Sequence, residues 1–378
     1  MKNIDLNEVF AKLKVKIQKQ KAGTIKLSAK EKINLLEQLS NLINSGIPIT
    51  NAFSIISYQT KEIKIKALVA DLLEKINKGI PLRESCATYS QIFSSFDIAI
   101  IEMGEITGKL GDSIELIKEK EEKNAELKSK IIGALTYPMV VIALSIAMIV
   151  TFMLFVIPKI QKMYSDAKVN LPGLTEFVIG ASEFLQENIV ILGAILAMII
   201  VGLGYLKTNP KTKIYFDKYV LNIPIFGGLI RKKVLSLFAR NLSTLLNSGI
   251  IINKALEITK KSLENAYYEK EIDSVMQKIS SGIPLSEAMG IKLLTTGKES
   301  EFFPLELSSL VKIGEQTGKL PGLLGKISIR YNKEIDNIVK NLATAIEPIV
   351  IVGVGGIVGT MIMAILLPFF NMVNVVGK

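Results

Sequence analysis

Three long stretches of the chain contain no charged side chain: 131–158, 188–206 and 348–377. Roughly 20 residues of α-helix cross the hydrocarbon of a bilayer, and each stretch is near or above that length. A helix buried in a soluble core seldom runs so far without a charge, so all three are expected to be transmembrane helices. The composition agrees, since 49% hydrophobic content and a mean hydropathy of +0.38 exceed what a soluble chain of 378 residues needs. Polar content inside the stretches is slight: Thr136, Tyr137, Ser145 and Thr151 in the first, Asn371 and Asn374 late in the third. A small-molecule or ion transporter, the second reading, usually places ionisable residues or broken helices at mid-membrane.

Lysine and arginine set the expected orientation. Lys118, Lys120, Lys123, Lys128 and Lys130 precede the first stretch, and Lys207, Lys211, Lys213, Lys218, Arg231, Lys232 and Lys233 follow the second, which places both segments in the cytoplasm. Between the first two stretches, Lys159, Lys162 and Lys168 are outnumbered by Asp166, Glu176, Glu183 and Glu187, and only Lys378 follows the third, so these segments face outward. The net charge of +11 is thereby assigned to topology, and no nucleic-acid partner is expected. Segment 1–27 carries Lys12, Lys14, Lys16, Lys19 and Lys21 without the long apolar run of a secretory signal peptide. It reads as a solvated basic tail, with a short strand or an arm on anionic lipid as alternatives.

The chain is a duplication. At an offset of 203, Leu42-Ile43-Asn44-Ser45-Gly46-Ile47 matches Leu245-Leu246-Asn247-Ser248-Gly249-Ile250, and Gly79-Ile80-Pro81-Leu82 matches Gly282-Ile283-Pro284-Leu285. At an offset of 210, Gly104-Glu105-Ile106-Thr107-Gly108-Lys109-Leu110 matches Gly314-Glu315-Gln316-Thr317-Gly318-Lys319-Leu320, Pro138 matches Pro348, and Pro158 matches Pro368. Each copy is then a cytoplasmic domain running into an outward-crossing helix, and the unmatched stretch 188–206 returns the chain for the second copy. Charge and repeats give the same topology independently.

Within a copy the apolar spacing is helical. Ser28 and Glu31 form a capping box ahead of the stripe Ile33, Leu35, Leu36, Leu39, Leu42 and Ile43. Gly46 with Pro48 stops that helix; Gly79 with Pro81, Gly249, and Gly282 with Pro284 repeat the device. The expected fold is all-α and integral to the membrane: two homologous cytoplasmic antiparallel bundles of about six helices each, with three transmembrane helices. The expected boundaries are 1–27 for the basic segment, 28–130 for the first bundle, 131–158 for the first span and 159–187 for an outward-facing loop. The second span follows at 188–206, the second bundle at 207–347, the third span at 348–370 and an outward-facing C-terminus at 371–378.

Catalytic chemistry is hard to build from these residues. The chain has no histidine, which excludes a Ser/His/Asp triad and a phosphohistidine relay, and its single Cys86 excludes an internal disulfide or thiol pair and reads as a small buried side chain. Gly108-Lys109-Leu110 and Gly318-Lys319-Leu320 lack the spacing and hydroxyl of a phosphate-binding loop. Glu102 and Glu105 stand at helical spacing and are capable of sharing a divalent ion, but such pairs are usually solvated helix surface, and neither metal nor cofactor is expected. Gly355 and Gly359 form a Gly-xxx-Gly pair suited to close helix packing, within the chain or between protomers, and Glu347 reads as a boundary residue at the edge of the third span, with a partner contact as the alternative.

These paired motifs, in this order and with three spans, resemble the inner-membrane platform proteins of type II secretion systems and type IV pili, the GspF/PilC family, over about residues 30–370. The resemblance implies a non-catalytic membrane hub in the lipid bilayer of the inner membrane, with homo-oligomerisation expected. Its cytoplasmic domains would contact a hexameric secretion or pilus ATPase and other inner-membrane assembly proteins. Its spans would lie beneath polymerising pilin or pseudopilin subunits. By position, Gly104, Glu105, Gly108 and Leu110, with Gly314, Glu315, Gly318 and Leu320, match the family motif and are read as shaping the bundle and its contacts. The chain departs from the family pattern in its short leading region and at Glu37, where an arginine is common; Arg240 keeps it in the second copy.

Overall fold

A computed structural model describes residues 25–167, 173–224, 226–290 and 300–376, which leaves most of the basic segment 1–27 and the last two residues outside it. Every regular element among the described residues is helical. The first copy contains α1 (Ala29–Asn44), α2 (Ile49–Gln59), α3 (Ile63–Asn77), α4 (Leu82–Ala87) and α5 (Ser95–Thr107), followed by α6 (Leu110–Thr151), which carries on into the first span. A π-helical turn, Phe152–Val156, leads to α7 (Ile157–Ala167); α8 (Gly173–Thr208) is the second span, and α9 (Pro210–Val220) follows it. The second copy repeats the pattern as α10 (Phe226–Asn247), α11 (Ile252–Lys261), α12 (Ala266–Ser280), α13 (Leu285–Ala288), α14 (Leu305–Thr317) and α15 (Leu320–Val376), the last running on as the third span.

Local chemistry explains where these helices begin and end. Ser28 Oγ accepts from the Glu31 N–H while the Glu31 carboxylate accepts from the Ser28 N–H at 2.6 Å, closing the capping box at α1. At its other end Gly46 adopts φ +82°, a left-handed conformation that costs a residue with a Cβ about 1–2 kcal/mol. That conformation lets Ile47 N–H reach back to Leu42 O at 3.1 Å and Gly46 N–H to Ile43 O at 2.9 Å. Gly79, Gly249 and Gly282 close α3, α10 and α12 with the same pair of bonds and φ between +80° and +84°. Pro81 and Pro284 then stand at the N-caps of α4 and α13.

The chain forms two compact units. One contains both bundles: the described residues up to Lys128, with Gly227–Ile335. Its buried core residues include Leu35, Leu36, Phe53, Ile56, Leu68, Leu72, Phe96 and Ile100 of the first copy and Leu235, Phe238, Leu242, Tyr268, Leu307 and Tyr331 of the second. Full burial of each such side chain contributes about 1.5–3 kcal/mol. Helix α10 is buried on almost every side between Val234 and Ser243, and α5 of the first copy packs on α11 of the second.

The other unit contains the described residues of Ser129–Phe226 and those from Asp336 onward, so α9 groups with the spans and not with the second bundle. Three of the described helices are long and apolar enough to cross a membrane, and only 6%, 0% and 6% of their most apolar windows are buried within the protein. Surface this apolar requires a hydrocarbon surrounding. The helices outrun the charge-free stretches, because charge marks the hydrocarbon boundary whereas backbone hydrogen bonding continues into water. Thus α6 starts at Leu110, and α8 starts at Gly173, within the segment expected as an outward loop. Lys130 and Asp336 form an ion pair at 3.1 Å between α6 and α15.

Candidate functional site

The two most specific motifs of each copy meet in space. Helix α4 is a short helix whose first N–H groups lack intrahelical acceptors, and Pro81 at its N-cap has no side chain able to accept them. The Glu105 carboxylate, projecting from the last turn of α5, accepts from Leu82 N–H at 2.6 Å and Arg83 N–H at 3.2 Å. In the second copy Glu315 does the same for α13, accepting from Leu285 N–H at 2.6 Å and Ser286 N–H at 3.1 Å. A carboxylate here also faces the positive end of the helix dipole. The Gly-Ile-Pro-Leu and Gly-Glu-x-Thr-Gly-Lys-Leu motifs are thus two halves of one brace.

The remaining motif residues shape the turn that holds it. A Cβ on Gly104 would lie 2.5 Å from Ser113 Oγ and 3.0 Å from Leu110 Cα; on Gly314 it would lie 2.7 Å from Leu320 Cα. Only glycine permits α5 and α6, or α14 and α15, to approach so closely. Gly108 and Gly318 then reverse the chain at φ +69° and +68°, with Lys109 and Lys319 N–H returning to the Gly104 and Gly314 carbonyls at 3.0 Å. Leu110 and Leu320 open the next helix. Glu102 and Glu105 have separate partners: Glu102 takes Arg83 Nη1 at 2.9 Å, and Glu105 caps α4. The outer parts of the motifs are solvent-facing: Ile106 is 72% exposed, Lys109 and Lys319 are exposed, and Ile313, just before the second motif, is 49% exposed.

A second constellation escaped sequence reasoning. Asp97 on α5 has no exposed surface and is held between Lys32 of α1 and Lys120 of α6, each at 2.7 Å. Glu121 takes the same two ammoniums at 2.9 and 3.1 Å, and Ser94 N–H donates to Asp97 at 3.0 Å. Burial alone would raise the Asp97 pKa, but Lys120 and Lys32 outweigh it and hold the carboxyl below the usual range. Burial would likewise lower Lys32, and Asp97 with Glu121 raise it overall. One turn along α6, Asn124 Oδ1 accepts from Arg240 Nη2 at 2.6 Å, linking the cluster's helix to α10 of the other copy, while Glu37 at the equivalent place is exposed. At the positions equivalent to Lys32, Asp97 and Glu121 the second copy has Leu235, Leu307 and Tyr331, all fully buried, while Arg330 keeps the charge of Lys120. Alignment of the copies held the signal: three charged residues in one stand where the other has Leu, Leu and Tyr.

The family model described as "Type II secretion system (T2SS), protein F" matches residues 35–158 and 238–368. This chain belongs to the type II secretion protein F family. A type IV pilus assembly protein PilC of Pseudomonas aeruginosa is 28% identical over 95% of this chain and 96% of its own length. The PilC of Thermus thermophilus is 30% identical over 89% and 81%, and the type II secretion system protein F of Vibrio cholerae is 24% identical over 91% and 83%. The two family segments of the protein F fold correspond to the two copies, and both contain the carboxylate brace. Gly355 and Gly359 lie on α15 with no other part of the described chain within 4 Å of where a Cβ would be.

Proposed function

We propose that this protein is the non-catalytic inner-membrane platform of a type II secretion or type IV pilus assembly machine. The observation that carries the reading is the match of the family to both copies, each a six-helix bundle whose last helix continues into an apolar span. In this reading the bundles face the cytoplasm, where a hexameric ATPase and neighbouring inner-membrane assembly proteins engage them. The spans lie beneath pilin or pseudopilin subunits, and ATP-driven motion of the platform helps lift those subunits from the bilayer. The Glu105 and Glu315 carboxylates brace the bundles from within, and the exposed Ile106 and Ile313 near the ends of α5 and α14, with Lys109 and Lys319 in the turns that follow, are the contact surface for the ATPase.

The test is mass spectrometry of what co-purifies with the tagged protein after mild crosslinking in its native membrane. Recovery of a hexameric-type ATPase with pilin-like proteins supports the platform and identifies the pathway. Recovery of the protein alone, despite efficient crosslinking, overturns the reading. Ile106→Asp with Ile313→Asp should reduce ATPase recovery while leaving the helical content measured by circular dichroism unchanged.

A further inference from the structure

Pro158 and Pro368 hold equivalent places in the two copies, late in the first and third spans. Neither can donate a backbone N–H, so each leaves one carbonyl of the preceding turn without its helical partner. In the first span Ile157 N–H bonds to Phe152 O, passing over Met153 O, and the residue that would serve Met153 in that π register is Pro158. In the third span α15 runs through Pro368, and the carbonyl four residues earlier belongs to Ala364. An unpaired carbonyl among apolar groups is costly, so each needs a donor from elsewhere.

Both donors come from α8, the helix with no counterpart in the repeat. Ser182 Oγ donates to Met153 O at 2.6 Å and accepts from Gln186 Nε2 at 2.9 Å; Gln186 Nε2 also reaches Met153 O at 3.4 Å. Thr175 Oγ1 donates to Ala364 O at 3.1 Å. Thr175 and Ser182 are separated by two helical turns and so share one face, where Val178 and Ile179 pack with Ile157, Ile160 and Ala364. Both hydroxyl residues are buried. Three hydroxyls in the spans bond back to their own helix: Thr136 to Ile132 O at 2.8 Å, Ser145 to Val141 O at 2.7 Å and Thr360 to Gly356 O at 2.8 Å. Thr175 and Ser182 instead reach across to carbonyls that proline has emptied.

We propose that α8 is a clasp: Thr175 and Ser182 are positioning residues that fasten the two repeat-related spans to the middle one through the carbonyls orphaned by Pro368 and Pro158. The middle helix then returns the chain across the membrane and also locks the outer ends of both copies together. This holds whatever machine the protein serves.

The test is a set of double-mutant cycles on the full chain in lipid nanodiscs, read as the midpoint of thermal denaturation. Ser182→Ala and Thr175→Val should each lower the midpoint. Pro158→Ala restores a donor for the first carbonyl, so Ser182→Ala should cost little in that background but its full amount in Pro368→Ala. Thr175→Val should behave in the mirror-image way. If either substitution prevents insertion, Ser182→Thr and Thr175→Ser, which keep the hydroxyl, should insert normally. Neutral single variants, equal costs in matched and crossed backgrounds, or failure of the hydroxyl-keeping variants would each overturn the clasp.

Discussion

Asp97 retains its charge without solvent because two lysines surround it, and that arrangement makes the first bundle sensitive to pH at both extremes. Its folded pKa lies below the unfolded value, so its contribution is complete above about pH 4 and is lost as acid protonates it. Lys32 is raised, so its contribution is complete below about pH 10 and is lost as pH climbs through the folded value. The denaturation midpoint of the purified protein should therefore stay level between these limits and fall outside them. Asp97→Asn at neutral pH leaves two ammoniums under-compensated and should cost about 3–5 kcal/mol in chemical denaturation. Exchanging Lys32, Asp97, Lys120 and Glu121 together for the second copy's Leu, Leu, Arg and Tyr should cost far less and abolish the acid loss.

At the scale of elements, the carboxylate brace fixes how α4 sits on α5 and α13 on α14. Glu315→Ala removes the acceptor of two N–H groups and should destabilise by about 0.5–2 kcal/mol, the range of a lost N-cap, as read by thermal denaturation. Glu315→Lys should do worse, because it sets a cation against the positive end of a helix. The glycines separate into two kinds. Gly79→Ala meets no neighbour and should cost only the left-handed backbone term, about 1–2 kcal/mol, whereas Gly314→Ala drives a Cβ against the Leu320 backbone and should cost more. A reversal of that order in urea melts would mean that the motif glycine is there for its backbone angles alone.

For the molecule as a whole, the expected topology is open to direct labelling because the native thiol is silent. Cys86 is 2% exposed, and burial first, then Glu105 and Asp97, pushes its pKa up, so little reactive thiolate forms. A membrane-impermeant maleimide should label Lys162→Cys in intact spheroplasts and Tyr58→Cys only after permeabilisation. The opposite pattern would invert the orientation read from lysine and arginine. If copies of the chain meet along α15, where no described residue comes within 4 Å of a Cβ built on Gly355 or Gly359, replacing both with Leu should abolish crosslinked dimers in the membrane.

The sequence by itself determined the fold class, the three apolar spans and the duplication. Each of these is carried by a local or periodic signal: a run without charge, a 3.6-residue stripe, a glycine that stops a helix, a motif repeated at a fixed offset. Helix ends were less legible, since α6 and α8 continue well past the charge-free runs. Only the tertiary structure decided that Glu105 serves the N-terminus of α4, that Lys32 and Lys120 converge on Asp97, and that Ser182 and Thr175 supply the carbonyls emptied by Pro158 and Pro368. Those partners lie far apart in the chain, and no spacing rule connects them. A buried polar group needs a partner of fixed chemistry, and folding alone determines which distant residue stands within reach.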